Sequence, residues 1–361
     1  MTVRVIIAGG GTGGHLFPGV AIAEEWLRRN EKNRILFIGT KRGIEKRVLK
    51  DLGFSLKLLN VEGIKGRGMI RSAMALLKLP GSLLQSMRIL RSFRPDIVIG
   101  VGGYASGPAV VAARLMGIRT AIAEQNSIPG LTNRLLGWIV DRIFLSFADR
   151  GKWFPAKKTQ ISGNPIRAAF FGGKPVIEKA SDQFSLLIFG GSQGAHAINS
   201  AVQAALPSLK PLQGVLSIVH QTGERDCESM TAAYAAQRFN ARVVPFIRDM
   251  ASAYEAADLL ICRAGATSIA EITAMGKAAI LIPFPYAIGD HQTENAKVLL
   301  EAGAAVMIPE KELVGARLAD EIKNLYDHPS LLKDIAGKAA NMGNIYAASD
   351  IVDACLAMVK K

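Results

Sequence analysis

Val3-Arg4-Val5-Ile6-Ile7-Ala8-Gly9-Gly10-Gly11-Thr12-Gly13-Gly14-His15 is the stretch whose reading decides the fold. Its first six residues are mostly apolar and β-branched, which suits a strand buried in a parallel sheet. The glycines make a turn, and beyond Pro18 the run Val20-Ala21-Ile22-Ala23-Glu24-Glu25-Trp26-Leu27 has helical spacing. Strand, glycine-rich turn and helix in that order predict an anion site. Glycines admit a phosphate close to the backbone, and a helix N-terminus offers N–H groups and the positive end of its dipole. A turn that merely joins strand to helix is the plain alternative, but five glycines in the six residues from Gly9 to Gly14 exceed what it requires. His15 stands at the rim of this turn, where a ligand would arrive.

A chain of 361 residues exceeds one ordinary α/β core, so two domains are expected. Hydrophobic residues at 49% and charged residues at 20% make a globular composition, and no run of ~18 apolar residues free of charges suggests a spanning helix. The N-terminus enters a strand directly and does not read as a signal peptide. Cys227, Cys262 and Cys355 are odd in number and far apart, which fits a reducing cytoplasm and neither a disulfide framework nor a metal cluster. A formal charge of +14 calls for an anionic partner: nucleic acid, a membrane surface or a phosphorylated substrate.

Gly9, Gly11 and Gly14 also match GxGxxG, the dinucleotide fingerprint. An NAD site wants an acidic residue after the second strand, here 34–39, and the chain offers Gly39-Thr40-Lys41-Arg42 instead. NAD is thus disfavoured, while Lys41 and Arg42 leave NADP open. Residues 63–95 contain no Asp or Glu but carry Lys65, Arg67, Arg71, Lys78, Arg88, Arg91 and Arg94 among many apolar side chains. Part of that apolar set must face a core. Unopposed positive charge beside apolar side chains suits anionic lipid headgroups, whereas nucleic acid would want stacking platforms and finds only Phe93.

Further strands at 96–101, 120–123 and 142–145 are followed by Gly102-Gly103-Tyr104-Ala105-Ser106-Gly107-Pro108 and by Glu124-Gln125-Asn126-Ser127. Loops after parallel strands share one sheet edge, where ligands bind. After the punctuation Gly163-Asn164-Pro165-Ile166-Arg167 and Gly172-Gly173-Lys174-Pro175 the pattern restarts: strand 184–189, turn Gly190-Gly191-Ser192-Gln193-Gly194-Ala195, helix 197–206. More strands read at 216–220, 242–244, 259–262, 278–282 and 305–308. A last amphipathic helix reads at about 349–360. The fold class expected is therefore α/β, with two Rossmann-like domains facing a cleft.

These motifs resemble the GT-B glycosyltransferases, and within them the MurG family of bacterial N-acetylglucosaminyltransferases. The resemblance is carried in order by 9–15 with Pro18-Gly19, 100–108, 124–126 with Gly130 and Asn133, 163–167, 190–195, 245–250, 263–271 and 290–295. Thr267-Ser268 departs slightly, since the family more often has its threonine second. The resemblance implies an N-terminal acceptor and membrane-contact domain of residues 1–162 plus 342–361, and a donor domain of 163–341. It implies transfer of N-acetylglucosamine from UDP-N-acetylglucosamine to the 4-hydroxyl of undecaprenyl-diphosphate-linked muramyl-pentapeptide, with inversion.

In that reading Phe246 and the backbone of Ile247 carry uracil, and Glu271 accepts from the ribose hydroxyls. Ser192 and Arg167 hold the diphosphate, and Gln292 and Asn295 read the sugar. Thr12, Gly13, Gly14, Asn126 and the run Ala266-Thr267-Ser268-Ile269-Ala270 complete the donor contacts. His15 is the implied base with Glu124 as helper, Gly103 and Tyr104 face the acceptor, and Lys65, Arg67, Arg71 and Lys78 meet the membrane. No cofactor or nucleic acid is implied, and since no Asp-x-Asp occurs, no metal clamp on the diphosphate is indicated. The implied place is peripheral, on the cytoplasmic face of the inner membrane. The rivals are a UDP-sugar epimerase of the same architecture, an NADP-dependent oxidoreductase and a non-catalytic nucleic-acid binder.

Overall fold

Strand and helix alternate from the N-terminus: β1 (Arg4–Ala8), α1 (Gly13–Arg29), β2 (Arg34–Thr40), α2 (Glu45–Asp51), β3 (Ser55–Leu59), α3 (Leu79–Phe93), β4 (Ile97–Gly100), α4 (Ser106–Leu115), β5 (Arg119–Glu124), α5 (Leu131–Leu136), β6 (Arg142–Leu145) and β7 (Thr159–Ile161). The computed structural model describes residues 2–40, 45–61, 79–171, 183–191 and 193–360. Within these the chain divides into two units, Met1–Ala168 with Ile345–Lys361, and Ala169–Asn344. The sequence reading set the breaks at 162/163 and 341/342.

In the first unit the described strands form one parallel sheet in the order β3-β2-β1-β4-β5-β6-β7. The period-two alternation of β1 sends Val5 and Ile7 to the face that holds Trp26 of α1. Ile6 and Ala8 go to the face that holds Leu90 of α3 and Ala109 of α4. Each such buried aliphatic side chain contributes roughly 1.5–3 kcal/mol, and a strand covered on both faces has no polar side to alternate with. That is why 3–8 reads as a nearly continuous apolar run. β3 and β7 escaped the sequence reading because both are edge strands, short and partly exposed, with Ser55, Lys57, Thr159 and Gln160 among their residues.

The second unit repeats the plan: β8 (Phe184–Phe189), α6 (His196–Leu209), β9 (Leu216–Gln221), α7 (Cys227–Ala236), β10 (Asn240–Val244), α8 (Met250–Ala256), β11 (Leu259–Cys262), α9 (Ala266–Ala274), β12 (Ala278–Leu281), α10 (His291–Glu301), β13 (Val306–Met307), α11 (Gly315–Asp327) and α12 (Pro329–Met342). Its sheet is parallel, in the order β10-β9-β8-β11-β12-β13.

The final helix, α13 (Ala347–Val359), returns to the first unit. It lies against α1, where Ile351, Val352 and Cys355 join Trp26 in the core. Arg29 donates to Asp353 at 2.6 Å and to Ser349 at 2.7 Å. By length and composition Pro329–Val359 would qualify as a membrane span. The structure breaks it into α12 and α13, of 14 and 13 residues in different units, each short of the ~20 a span needs.

Each sheet has one point where the strand order reverses. In the first unit it lies between β1 and β4, in the second between β8 and β11. The crevice outside the carboxyl ends of the strands at such a point is where open parallel sheets bind ligands. The glycine-rich turns after β1 and β4, the segment that leaves β8 at Gly190 and the 263–265 loop all leave the sheets there.

Candidate active site

Beyond β1 the chain turns through Gly9–Gly11, and Thr12 caps α1 in an extended conformation without using its side chain. Gly13 and Gly14 open the helix, and its first turn holds no acidic residue, so the dipole end keeps its positive character. Part of the glycine content has a second cause. Gly10 has φ +129°, and a Cβ there would sit 2.1 Å from Oε1 of Glu45. Glu45 is fully buried in the first turn of α2, and that oxygen accepts from the Gly11 N–H at 2.7 Å. The turn therefore closes over an internal carboxyl group as well as presenting its rim, and nothing in the ordinary charged stretch around Glu45 marks it in the sequence.

His15 lies in the first turn of α1, half-buried, with Nδ1 2.9 Å from Oε1 of Gln125. Its ring rests on the turn after β4, where a Cβ on Gly102 would come 2.7 Å from Nδ1. Gly103 and Tyr104 follow in that turn, and Tyr104 is exposed.

Glu124 ends β5 and is buried. Its Oε1 accepts from the Asn126 backbone N–H at 3.0 Å and from Asn126 Nδ2 at 3.3 Å. Its Oε2 accepts from the Gly130 N–H at 3.1 Å and from Asn133 Nδ2 at 2.8 Å. The carboxyl group thus organises the loop from 126 to 133, and the side chain bonded to His15 is the next one along, Gln125. Arg167 stacks its guanidinium 4.6 Å from the ring centre of Phe17 in α1. Lys65, Arg67, Arg71 and Lys78 lie outside the described residues, as does Ser192. Within the described part of 63–95, α3 buries Leu90 and half-buries Leu83 and Met87 against the core, so these apolar residues have a structural use.

In the second unit Gln221 closes β9 and ties two loops together. Its Nε2 donates to the Gly191 carbonyl at 2.6 Å, and its Oε1 accepts from the Ile247 N–H at 3.0 Å. Phe246, beside it, is exposed. Ala266, Thr267, Ser268, Ile269, Ala270 and Glu271 form the first turns of α9, with Glu271 buried. Gln292, in the first turn of α10, accepts from the Phe284 N–H at 3.0 Å. Asn295 is fully buried and donates to the Ala264 carbonyl at 3.4 Å, so it fastens α10 to the loop before α9. Arg263 braces the same region by an ion pair with Glu310 at 2.5 Å and by donating to the Ile282 and Pro283 carbonyls. Among the described residues no group of three or more His, Cys, Asp or Glu could hold a metal ion.

A buried polar chain runs from the core of this unit to the start of α6. His220 accepts at Nδ1 from the Tyr234 hydroxyl (2.9 Å) and donates from Nε2 to Asn199 Oδ1 (3.0 Å). Asn199 in turn donates to the Thr222 carbonyl and to Asp226, which pairs with His196. Burial drives the His220 imidazole from its ordinary 6.5 down to about 3, against a smaller upward pull from Asp226. The unfolded chain therefore takes up a proton below pH 6.5 that the folded one refuses. Stability should fall as pH drops from 6.5 toward 3, by up to about 1.4 kcal/mol per pH unit, and be level above. Urea midpoints from pH 7 to 4 should show this slope for the second unit, and His220→Gln should flatten it. An equal slope in both proteins would assign the acid sensitivity to other groups.

The family models for the glycosyltransferase family 28 N-terminal and C-terminal domains match residues 5–145 and 185–352. A curated protein of Syntrophus aciditrophicus is 82% identical over 360 residues, covering 100% of both chains. Its name is UDP-N-acetylglucosamine--N-acetylmuramyl-(pentapeptide) pyrophosphoryl-undecaprenol N-acetylglucosamine transferase. Among solved structures, Acinetobacter baumannii MurG is 34% identical with TM-score 0.78, over 97% of this chain and 98% of that one. A UDP-GlcNAc 2-epimerase from Neisseria meningitidis aligns over 99% of this chain and 100% of its own with TM-score 0.66, but at 14% identity it shares the fold alone.

Proposed function

This chain belongs to glycosyltransferase family 28, and from that premise we infer that it transfers N-acetylglucosamine from UDP-N-acetylglucosamine to lipid-linked N-acetylmuramyl-pentapeptide in peptidoglycan synthesis, completing lipid II. The observation that carries this is the 82% identity across the full length of a transferase so named. The two-domain α/β architecture agrees with the GT-B fold of such enzymes. No observation favours the nicotinamide or nucleic-acid readings over it.

The roles follow from chemistry. The acceptor's 4-hydroxyl must lose a proton as it attacks the anomeric carbon, and the departing UDP must have its charge stabilised. His15 takes the proton, and a single displacement inverts the anomeric centre. Arg167, Ser192 and the helix N-termini at Thr12-Gly13-Gly14 stabilise phosphate charge. Phe246 and Ile247 seat the uracil, Glu271 holds the ribose diol, and Gln292 reads the sugar. Asn126, Asn295 and the 266–270 turn shape the donor site, while Gly103 and Tyr104 meet the acceptor.

The enzyme works at the cytoplasmic face of the inner membrane as a peripheral protein. Supporting this, Leu131, Leu135 and Trp138 are exposed at helical spacing on and just after α5, and Trp153 and Ile161 are exposed in the same unit. Arg134 stacks 3.5 Å from the Trp153 ring centre, and Lys158 donates to the Trp138 carbonyl. Apolar side chains rimmed by cations suit anionic headgroups, together with Lys65, Arg67, Arg71 and Lys78.

One assay tests both statements. Labelled UDP-N-acetylglucosamine should donate its sugar to lipid-linked muramyl-pentapeptide in vesicles. Transfer should be faster in anionic than in neutral vesicles, and the difference should shrink with salt. It should also shrink when Lys65, Arg67, Arg71 and Lys78 are changed to Gln. Absence of labelled product would overturn the activity. Equal rates in both vesicles would overturn the membrane contact alone.

A further inference from the structure

The imidazole of His15 faces an amide whose orientation is not free. Gln125 is 1% exposed, and its side chain spans two neighbours. Oε1 is 2.9 Å from His15 Nδ1, and Nε2 donates to the Ala123 carbonyl at 3.0 Å. The same carbonyl also accepts from Asn133 Nδ2 at 3.2 Å. A carbonyl oxygen has no proton to give. Turning the amide over would set Oε1 against it, two acceptors at hydrogen-bond distance with nothing between them. The Ala123 carbonyl therefore holds the Gln125 amide with oxygen toward His15. An oxygen acceptor in contact with Nδ1 requires a proton on Nδ1.

We propose that Gln125 is a positioning residue that fixes His15 as the Nδ1–H tautomer, with the lone pair on Nε2. This rests on the reading of His15 as the base. A general base needs its unprotonated nitrogen aimed at the substrate, and a buried acceptor on the other nitrogen fixes both tautomer and ring angle. The backbone of Gly102 lies against the Nδ1 and Cε1 atoms, where a Cβ would come within 2.7 and 2.9 Å, so this side of the ring is covered. Nε2 is left to do the chemistry. Glu124, one residue earlier, cannot share the task, since both its oxygens are committed to the loop from 126 to 133.

The tautomer can be read without any substrate. In protein carrying 15N-histidine, long-range 1H–15N correlation at alkaline pH separates protonated from unprotonated ring nitrogens, and the His15 signals are those lost in His15→Ala. Wild type should show Nδ1 protonated and Nε2 bare. Gln125→Leu, which removes the acceptor, should shift His15 toward the Nε2–H form that water favours. It should lower kcat by about 10–100-fold with the donor KM within about twofold. Gln125→Glu restores an oxygen for Nδ1–H and should recover the tautomer, with only part of kcat because its second oxygen meets the Ala123 carbonyl. A wild-type His15 protonated on Nε2 would overturn the proposal, even if neither variant folds. So would unchanged kcat in a folded Gln125→Leu. Should the tautomer be as stated while His15→Ala keeps full turnover, the assignment of the base fails and the proton placement stands.

Discussion

His15→Ala is expected to lower turnover by ~10²–10⁴-fold, the usual contribution of a positioned general base, while UDP-N-acetylglucosamine binds nearly as before. The side chain is half-buried in the first turn of α1 and touches Gln125 and the Gly102 backbone, so its removal leaves the sheet core untouched. Glu271→Ala supplies the opposite signature. It removes a charged partner of the ribose diol and should weaken the donor by about 1.5–3 kcal/mol, with a smaller effect on kcat at saturation. Steady-state kinetics and calorimetry on both variants separate the roles. Near-wild-type turnover in His15→Ala would reduce His15 to a shaper of the loop, and unchanged donor affinity in Glu271→Ala would remove that residue from the donor site.

Glu124→Ala is expected to unfold the loop from 126 to 133 before it affects any proton transfer. Four donors converge on this carboxyl group, two from Asn126 and one each from Gly130 and Asn133. Hydrogen bonds to a charged acceptor are worth ~1.5–3 kcal/mol each, though not additively, and of the residues that supply the donors Asn133 is buried, Asn126 half-buried and Gly130 exposed. A loss on the order of 3–5 kcal/mol follows. In a unit of this size that lowers Tm by roughly 6–20 °C. Glu124→Gln should rescue little, because its amide nitrogen would face donors on one side. Turnover should fall in step with stability. A variant with wild-type Tm and abolished turnover would instead make Glu124 the base.

Much of this protein was legible in one dimension. Parallel strands buried on both faces must be continuous apolar runs, so 3–8, 34–39, 96–101, 184–189 and 259–262 announced themselves. Glycine-rich turns at their ends marked the points where the strand order reverses. The restart at residue 184 implied a second unit of the same plan, and eight motifs in order identified the family. The edge strands β3 and β7 were not legible, because they carry polar residues and bury little, whereas β10 and β13 at the edges of the second sheet were.

Nor were the residues that act by holding others. Gln125 reaches His15 across 110 positions, Glu45 reaches Gly11 across 34, and Gln221 joins Gly191 to Ile247 across 30 and 26. Nothing in local spacing marks such a pair, since a glutamine that fixes a tautomer and one in a turn are the same letter. The sequence by itself determined most of the backbone segments that form the sheets and the glycine-rich turns that leave them, because burial and backbone freedom are local demands on residue type. Only the tertiary structure decided which acceptor meets which donor. A hydrogen bond depends on an approach within about 3 Å, and that distance exists only once the sheet has brought separate loops to one edge.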